Sequence, residues 1–235
     1  MSEKELQHQI KRVREMLRER PLGLQRHVER VLEEAFRLSE VWDVSRSRVE
    51  LVVVGHDLFR ATPPEKQIRF ATEAGITIED EVRENPILLH GPLAADLLSK
   101  TLSVTDDEVL VAIREHTAGY SEMSLLAKIL VIADKVESVK RRRVPALQAI
   151  RQLARRDLDV ALLCWADWRW VKERQSGWRS FQSHWEVRLK WVSEHHKDIA
   201  MPGHSSSIEF EKVAKNFPAV SLPIQSLQSQ VRDQE

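Results

Sequence analysis

An all-α fold is predicted, and three observations predict it. Glycine is scarce, at 7 of 235 residues. Alternating apolar and polar runs bounded by turn residues are hard to find, and apolar side chains recur instead at three- and four-residue steps. The length fits one main domain with extensions, since single domains usually run to roughly 100–200 residues.

Residues 3–19 are charge-rich and amphipathic, a helix candidate that ends near Pro21 and Gly23, which break helical geometry. From Leu24 to Trp42 the residues Leu24, Val28, Val31, Ala35, Leu38 and Trp42 form one buried helical face, and His27 shares it. The β-branched run VELVVVGHD at 49–57 would by itself also fit a strand. Its exit into HDLFRATPPE favours a buried helix that stops before Pro63. A polar, Pro-containing stretch at 60–86 carries no assigned element. In ILLHGPLAADLLSK, Gly91 and Pro92 either interrupt one helix or start another, because Pro suits a first turn, and His90 then stands beside a helix start.

Thr105 followed by Glu108 matches a capping box. The helix it opens carries Val109, Ala112, Ile113 and His116 on one stripe. Residues 124–137 form an apolar helix that puts the carboxylate of Asp134 on a face suited to burial, where it needs a partner. KRRRVPALQAI then opens a second helical section with the tryptophan-rich stretch CWADWRWVKERQSGW and a further helix candidate at 180–196. The expected organisation is an N-terminal helix at 1–20, a catalytic domain at 21–140, a helical extension packing on it at 141–200, and a flexible polar tail at 201–235.

Lys+Arg and Asp+Glu each number 36, so no net basic field calls for nucleic acid as a partner. The single cysteine, Cys164, can close no internal disulfide. The first twenty residues mix both charges, and no run approaches the ~20 apolar residues of a membrane span. A cytoplasmic protein with no membrane association is expected. Its oligomeric state is not legible from sequence.

The ordered set His27, His56-Asp57, His90, His116 and Asp134 carries the chemistry. Each lies on or beside an apolar helical stripe that turns it toward a common interior. A lone buried histidine is more often a hydrogen-bonded core residue than a ligand. Six such groups together point to a cation, which removes the cost of burying Asp57 and Asp134 and fixes the ring tautomers. Mixed His/Asp ligation suits iron, manganese, zinc or cobalt. Two ions are feasible if Asp57 bridges them, with His27, His56, Asp57 and Asp134 on one and Asp57, His90 and His116 on the other. Such a pair activates water without a protein nucleophile.

The adjacent His56-Asp57 dipeptide, with RHVERV at 26–31, GHDLFRATPPE at 55–65, LLHGPLAADLL at 88–98 and IREHTAGYSEMSLLAKILVIADKVES at 113–138, resembles the HD-domain superfamily of metal-dependent phosphohydrolases. RRDLDVALLCW at 155–165 extends the likeness weakly. Within that superfamily the chain is most similar to the bacterial symmetrical bis(5'-nucleosyl)-tetraphosphatases. The resemblance implies an HD-domain helical bundle, a two-metal centre with iron as the favoured ion, the six residues above as its ligands, and cleavage of diadenosine tetraphosphate into two ADP. Two positions depart from the pattern. Arg60 stands where the family usually has Lys, and Lys140 replaces an Arg while the Pro between Glu137 and that position is absent. Substrate preference is the property these changes bear on.

Asp57 and Arg60 are the residues expected to act at the reacting phosphate, and Arg60, Thr117, Lys128 and Lys140 are the candidates for holding substrate. For the cations the competing reading is a solvated surface charge; Arg26 and Arg114 rank behind them. Thr117 either bonds a phosphate oxygen or closes its helix before the turn at Gly119. Trp165, Trp168, Trp178 and Trp185 fit core packing better than adenine stacking. His8, His184, His195, His196 and His204 fall outside the motif. The competing functions are an HD phosphohydrolase for another nucleotide, such as a dNTP, a mononucleotide or an alarmone, and a nucleotide-binding domain without turnover.

Overall fold

The computed structural model describes residues 2–117, 119, 120, 122–144, 147–177 and 187. Among them there are helices and no strands, in two units that meet at Glu137 and Ser138. The candidate helix at 180–196, Trp178, Trp185 and the tail at 201–235 lie outside the described residues, Val187 apart.

The first unit opens with α1 (Glu3–Arg18), capped by Ser2, whose hydroxyl accepts from the Glu5 amide while Glu5 reaches back to the Ser2 amide. It buries Leu6, Ile10, Val13 and Leu17 and leaves its charges in water. Pro21 caps α2 (Leu22–Val41), whose buried face includes Val28, Val31, Ala35 and Leu38. Next comes α3 (Arg46–Gly55), a helix, with Val49, Leu51, Val52, Val53 and Val54 all buried. It packs against α1, α2, α6, α7 and α8, and so has little polar face to generate a helical period.

The stretch at 60–86 is more structured than its polarity predicts. It holds α4 (Pro64–Ala74), ended by Gly75 at φ 73, and the short α5 (Asp80–Glu84). Their amphipathicity rests on a few side chains: Ile68, Phe70 and Val82 lie against Ala71, Leu89 and Leu93 in a satellite core. A 3-10 turn at Pro86–Leu89 leads into α6 (His90–Leu102), so the histidine is the first helical residue. α7 (Asp107–Glu115) is capped by Asp106, one residue later than the capping-box pattern places it, because the Asp106 carboxylate accepts from the Val109 amide. α8 (Leu125–Val136) is capped by Ser124 and is buried on almost every side.

One tie explains how α3 and α7 are aligned. Arg48, near the start of α3, donates from Nε and Nη2 to the two carboxylate oxygens of Asp106 at 2.8 Å each, and from Nη2 to Glu108 at 2.6 Å. With their beginnings fastened, two helices of similar length bring their ends together about 12 Å further on, at 1.5 Å per residue. Those ends are His56 and His116.

The second unit contains α9 (Ser138–Arg143), α10 (Leu147–Leu153) and α11 (Leu158–Ser176). α10 packs on α11, Leu147, Ile150, Leu153, Leu158 and Leu162 are buried, and Cys164 is a buried free thiol. Trp165 and Trp168 are half-buried on α11. Among the described residues, no helix is long and apolar enough to cross a membrane.

Candidate metal centre

The first unit gathers all six sequence-predicted ligands. His27 comes from the second turn of α2, His56 and Asp57 from the end of α3, His90 from the start of α6, His116 from the end of α7, and Asp134 from the last turns of α8. His56, Asp57, His90, His116 and Asp134 are buried, and the His27 side chain is 17% exposed.

Three of the imidazoles are oriented in the same way. The Nδ1 atoms of His56, His90 and His116 point at the carbonyls of Val53, Ile87 and Ile113, each three residues earlier in the chain. For His56 and His116 the separations are 2.6 and 2.8 Å. Nδ1 therefore carries the proton, and Nε2 presents a lone pair to the interior. The consequence is visible at two points. His56 Nε2 is buried without a hydrogen-bond partner. His90 Nε2 and His116 Nε2 face one another at 3.0 Å, two lone pairs that repel unless a positive centre lies near both.

Asp57 divides its oxygens between two groups. Oδ1 lies 3.2 Å from His90 Nε2 and 3.6 Å from His116 Nε2. Oδ2 lies 3.6 Å from His27 Nε2 and 3.5 Å from His56 Nε2. Two clusters with metal-ligand spacing result, His27/His56/Asp57 and Asp57/His90/His116, and they share the carboxylate. Asp134 Oδ1 lies 3.2 Å from His27 Nε2, and its Oδ2 accepts from Lys135 Nζ at 2.7 Å.

The electrostatics fit a cation. Burial pushes the His116 imidazole down to about 4 and also lowers His56. Burial alone would raise the Asp57 carboxyl, but positive charge on the histidines around it, His56 foremost, draws it well below the ordinary range, and a bound cation would act in the same sense. Neutral rings around a buried, ionised carboxylate form a donor set suited to a positive partner. The carbonyl ends of α3 and α7, where His56 and His116 sit, add negative dipole potential at the same place. These His/Asp clusters are suited to divalent metal.

Gly91 allows the two halves to meet. A Cβ there would lie 2.7 Å from the carbonyl oxygens of both Ile113 and Arg114, so the start of α6 approaches the backbone of α7 as closely as a glycine permits.

The remaining predicted residues are placed less uniformly. Thr117 Oγ1 lies 3.3 Å from His90 Nε2 and 3.4 Å from His116 Nε2, at the mouth of the cluster. The chain then turns away at Gly119, with φ 79. Arg60 follows the His56-Asp57 turn with an exposed side chain, Lys128 is half-buried on α8, and Lys140 is half-buried on α9 in the second unit. Arg26 and Arg114 are exposed, as is His8 on α1. His184, His195, His196 and His204 lie outside the described residues.

Sequence reasoning did not place Glu137 at the site. Its carboxylate is buried, accepts from Arg30 Nε at 2.7 Å, and brings Oε1 to 3.9 Å from His27 Nδ1. The available signal was an acidic residue at the very end of an apolar helix, three positions after Asp134.

Residues 24–139 match the HD domain family. The chain is 33% identical over 139 residues to the symmetrical bis(5'-nucleosyl)-tetraphosphatase of Bacillus subtilis, a match covering 58% of this chain and 72% of that protein. A protein of the same name from Staphylococcus aureus is 33% identical over 128 residues, 54% of this chain and 64% of its own length. A crystal structure from Clostridium acetobutylicum, described as a predicted HD superfamily hydrolase involved in NAD metabolism, is similar with a TM-score of 0.73 at 29% identity, covering 78% of this chain and 97% of that one.

Proposed function

The chain belongs to the HD-domain family of phosphohydrolases, and from that premise we propose that it hydrolyses dinucleoside polyphosphates, diadenosine tetraphosphate and water giving two ADP. The observation that carries the reading is the shared carboxylate: Asp57 turns one oxygen to each of two histidine groups. Relatives bearing the name of a symmetrical tetraphosphatase support the choice of substrate.

In this reading His27, His56, Asp57 and Asp134 hold one divalent ion, and Asp57, His90 and His116 hold a second. The ions are iron by resemblance, with manganese, cobalt or zinc also suited to the donor set. Bound there, such ions activate water at neutral pH and neutralise charge on the phosphoryl group being cleaved. The protein supplies the orientation. The carbonyls of Val53, Ile87 and Ile113 fix three ring tautomers, and Glu137 braces His27 from the side away from Asp57. The Thr117 hydroxyl stands where it can donate to a phosphate oxygen beside His90 and His116. Arg60 and Lys128 answer the charge of the phosphates outside the cleavage point. The catalytic domain runs over 21–140, behind the N-terminal helix.

Metal-loaded protein given diadenosine tetraphosphate should release ADP as its main product. AMP together with ATP would reject symmetrical cleavage. A second reading, turnover of another nucleotide, is favoured by one observation: Arg60, three residues after Asp57, is exposed where the resemblance expects Lys. NAD, also two nucleosides joined by phosphates, belongs in the substrate panel beside dNTPs, a mononucleotide and an alarmone. Preferential hydrolysis of any of these would replace the tetraphosphate as substrate.

A further inference from the structure

α1 and α2 flank a half-open pocket of about 510 Å³ whose walls include Arg14, Arg18, Arg26 and Arg30, with Leu17 and Leu22. In a chain with equal numbers of cationic and anionic residues, four guanidinium groups around one cavity are a local concentration of positive charge. Its volume lies in the range of small-molecule sites.

The four arginines differ in their surroundings. Arg14 is fixed by two carboxylates, Glu50 at 2.7 Å and Glu29 at 2.9 Å, so the one acidic group in the wall is already paired. Arg30 is fixed by Glu137 at 2.7 Å. The Arg18 and Arg26 side chains are exposed, and their guanidinium groups make no hydrogen bond or ion pair among the described residues. The α1 end of the cavity is held by Gln25, which donates to the Arg18 and Arg20 carbonyls at 3.0 and 2.6 Å. In the wall Leu17 is buried, whereas Leu22 is 66% exposed, an apolar surface beside the guanidinium groups of Arg18 and Arg26. Planar forks recognise phosphate in pairs of hydrogen bonds, and an apolar surface alongside suits a ribose or base.

The cavity is joined to the metal centre by bonded groups. Arg26 adjoins His27 in sequence, and Arg30 lines the cavity while holding Glu137, which also approaches His27 Nδ1.

We propose that this pocket between α1 and α2 binds a nucleoside phosphate, with Arg18 and Arg26 gripping its phosphates, and that the occupant is one nucleotide arm of the substrate. Only the second half of that statement rests on the function proposed above. Two ions held at the centre would neutralise only the phosphates at the scissile bond, and an outer arm of a polyphosphate needs further cations.

The test titrates ADP calorimetrically into the metal-loaded full chain and into its Arg18→Gln/Arg26→Gln variant, with metal content measured in both. The variant should lose ADP affinity by about tenfold or more, the scale expected for losing a charged hydrogen bond. Its metal content should be unchanged, and KM for diadenosine tetraphosphate should rise by a similar factor with kcat within about twofold. Arg18→Lys/Arg26→Lys should recover part of the affinity, and it provides the same reading if the glutamine pair proves unstable. Equal ADP affinity in wild type and variants, or no ADP binding by wild type, would overturn the pocket even if the tetraphosphate is cleaved. A wild type that ignores the tetraphosphate but shows the arginine-dependent loss of ADP affinity keeps the pocket and rejects the proposed substrate.

Discussion

His90 Nε2 and His116 Nε2 stand 3.0 Å apart with the Nδ1 of each ring engaged by a carbonyl of its own chain segment. Neither nitrogen then has a proton to offer the other. Two acceptors are held together by the approach of α6 to α7, and that arrangement is stable when a cation relieves it.

The approach itself can be tested at Gly91. An alanine there would place its Cβ 2.7 Å from two backbone oxygens of α7, which cannot swing aside as a side chain can. Gly91→Ala should therefore destabilise the fold by about 1–3 kcal/mol, the usual scale of overpacking, and separate His90 from His116. Urea unfolding reads the first effect and metal content the second. An unchanged midpoint with full metal content would show that the contact is not tight.

Stability of the metal-free protein should fall on acidification. The folded-state pKa of His116 is about 4, below its ordinary 6.5, so the unfolded chain takes up that proton first. The contribution is complete above about pH 6.5, is lost as pH falls toward 4, and totals about 3 kcal/mol at 1.36 kcal/mol per pKa unit. His56 is shifted in the same direction by burial, and Asp57, held below 3.8, adds its loss at lower pH still. Denaturant unfolding in chelator at pH 7.5 and 5 measures this. A His116→Gln variant should show a flatter dependence, and equal slopes in the two proteins would contradict the assignment.

Glu137 offers a separate reading of how His27 is held. Glu137→Gln keeps the shape but removes the charge that binds Arg30 and faces His27 Nδ1. Partners of metal-bound histidines typically account for about 10–100-fold in metal affinity. Competition with a chelator should show a loss on that scale, with the helical content unchanged. Wild-type affinity in the variant would reduce Glu137 to an anchor for Arg30.

What sequence made legible follows from where the periodic signal is strong. α2, α7 and α8 each carry an apolar stripe with His27, His116 or Asp134 on or beside it, and the HGP segment marks a helix start. The valine run of α3 was harder to read because a helix enclosed by five others has no polar face, and its exit toward Pro63 resolved the ambiguity. α4 and α5 were hidden because they cover a small satellite core with few apolar residues. The cap of α7 moved to Asp106 because a carboxylate tied to Arg48 also accepts the Val109 amide. Arg26 was already among the lower-ranked cations, but the position of Glu137 against Arg30 and the meeting of Arg18 with Arg26 around one pocket depend on how separate helices pack, and spacing within one helix carries no information about the helix that faces it.

Asp57 tests the whole account. Metal content and diadenosine tetraphosphate turnover, measured together on wild type and Asp57→Ala, probe the carboxylate that both histidine groups share. Loss of both ions with turnover abolished is the predicted outcome. A variant that keeps its full complement of metal and cleaves at the wild-type rate would contradict it.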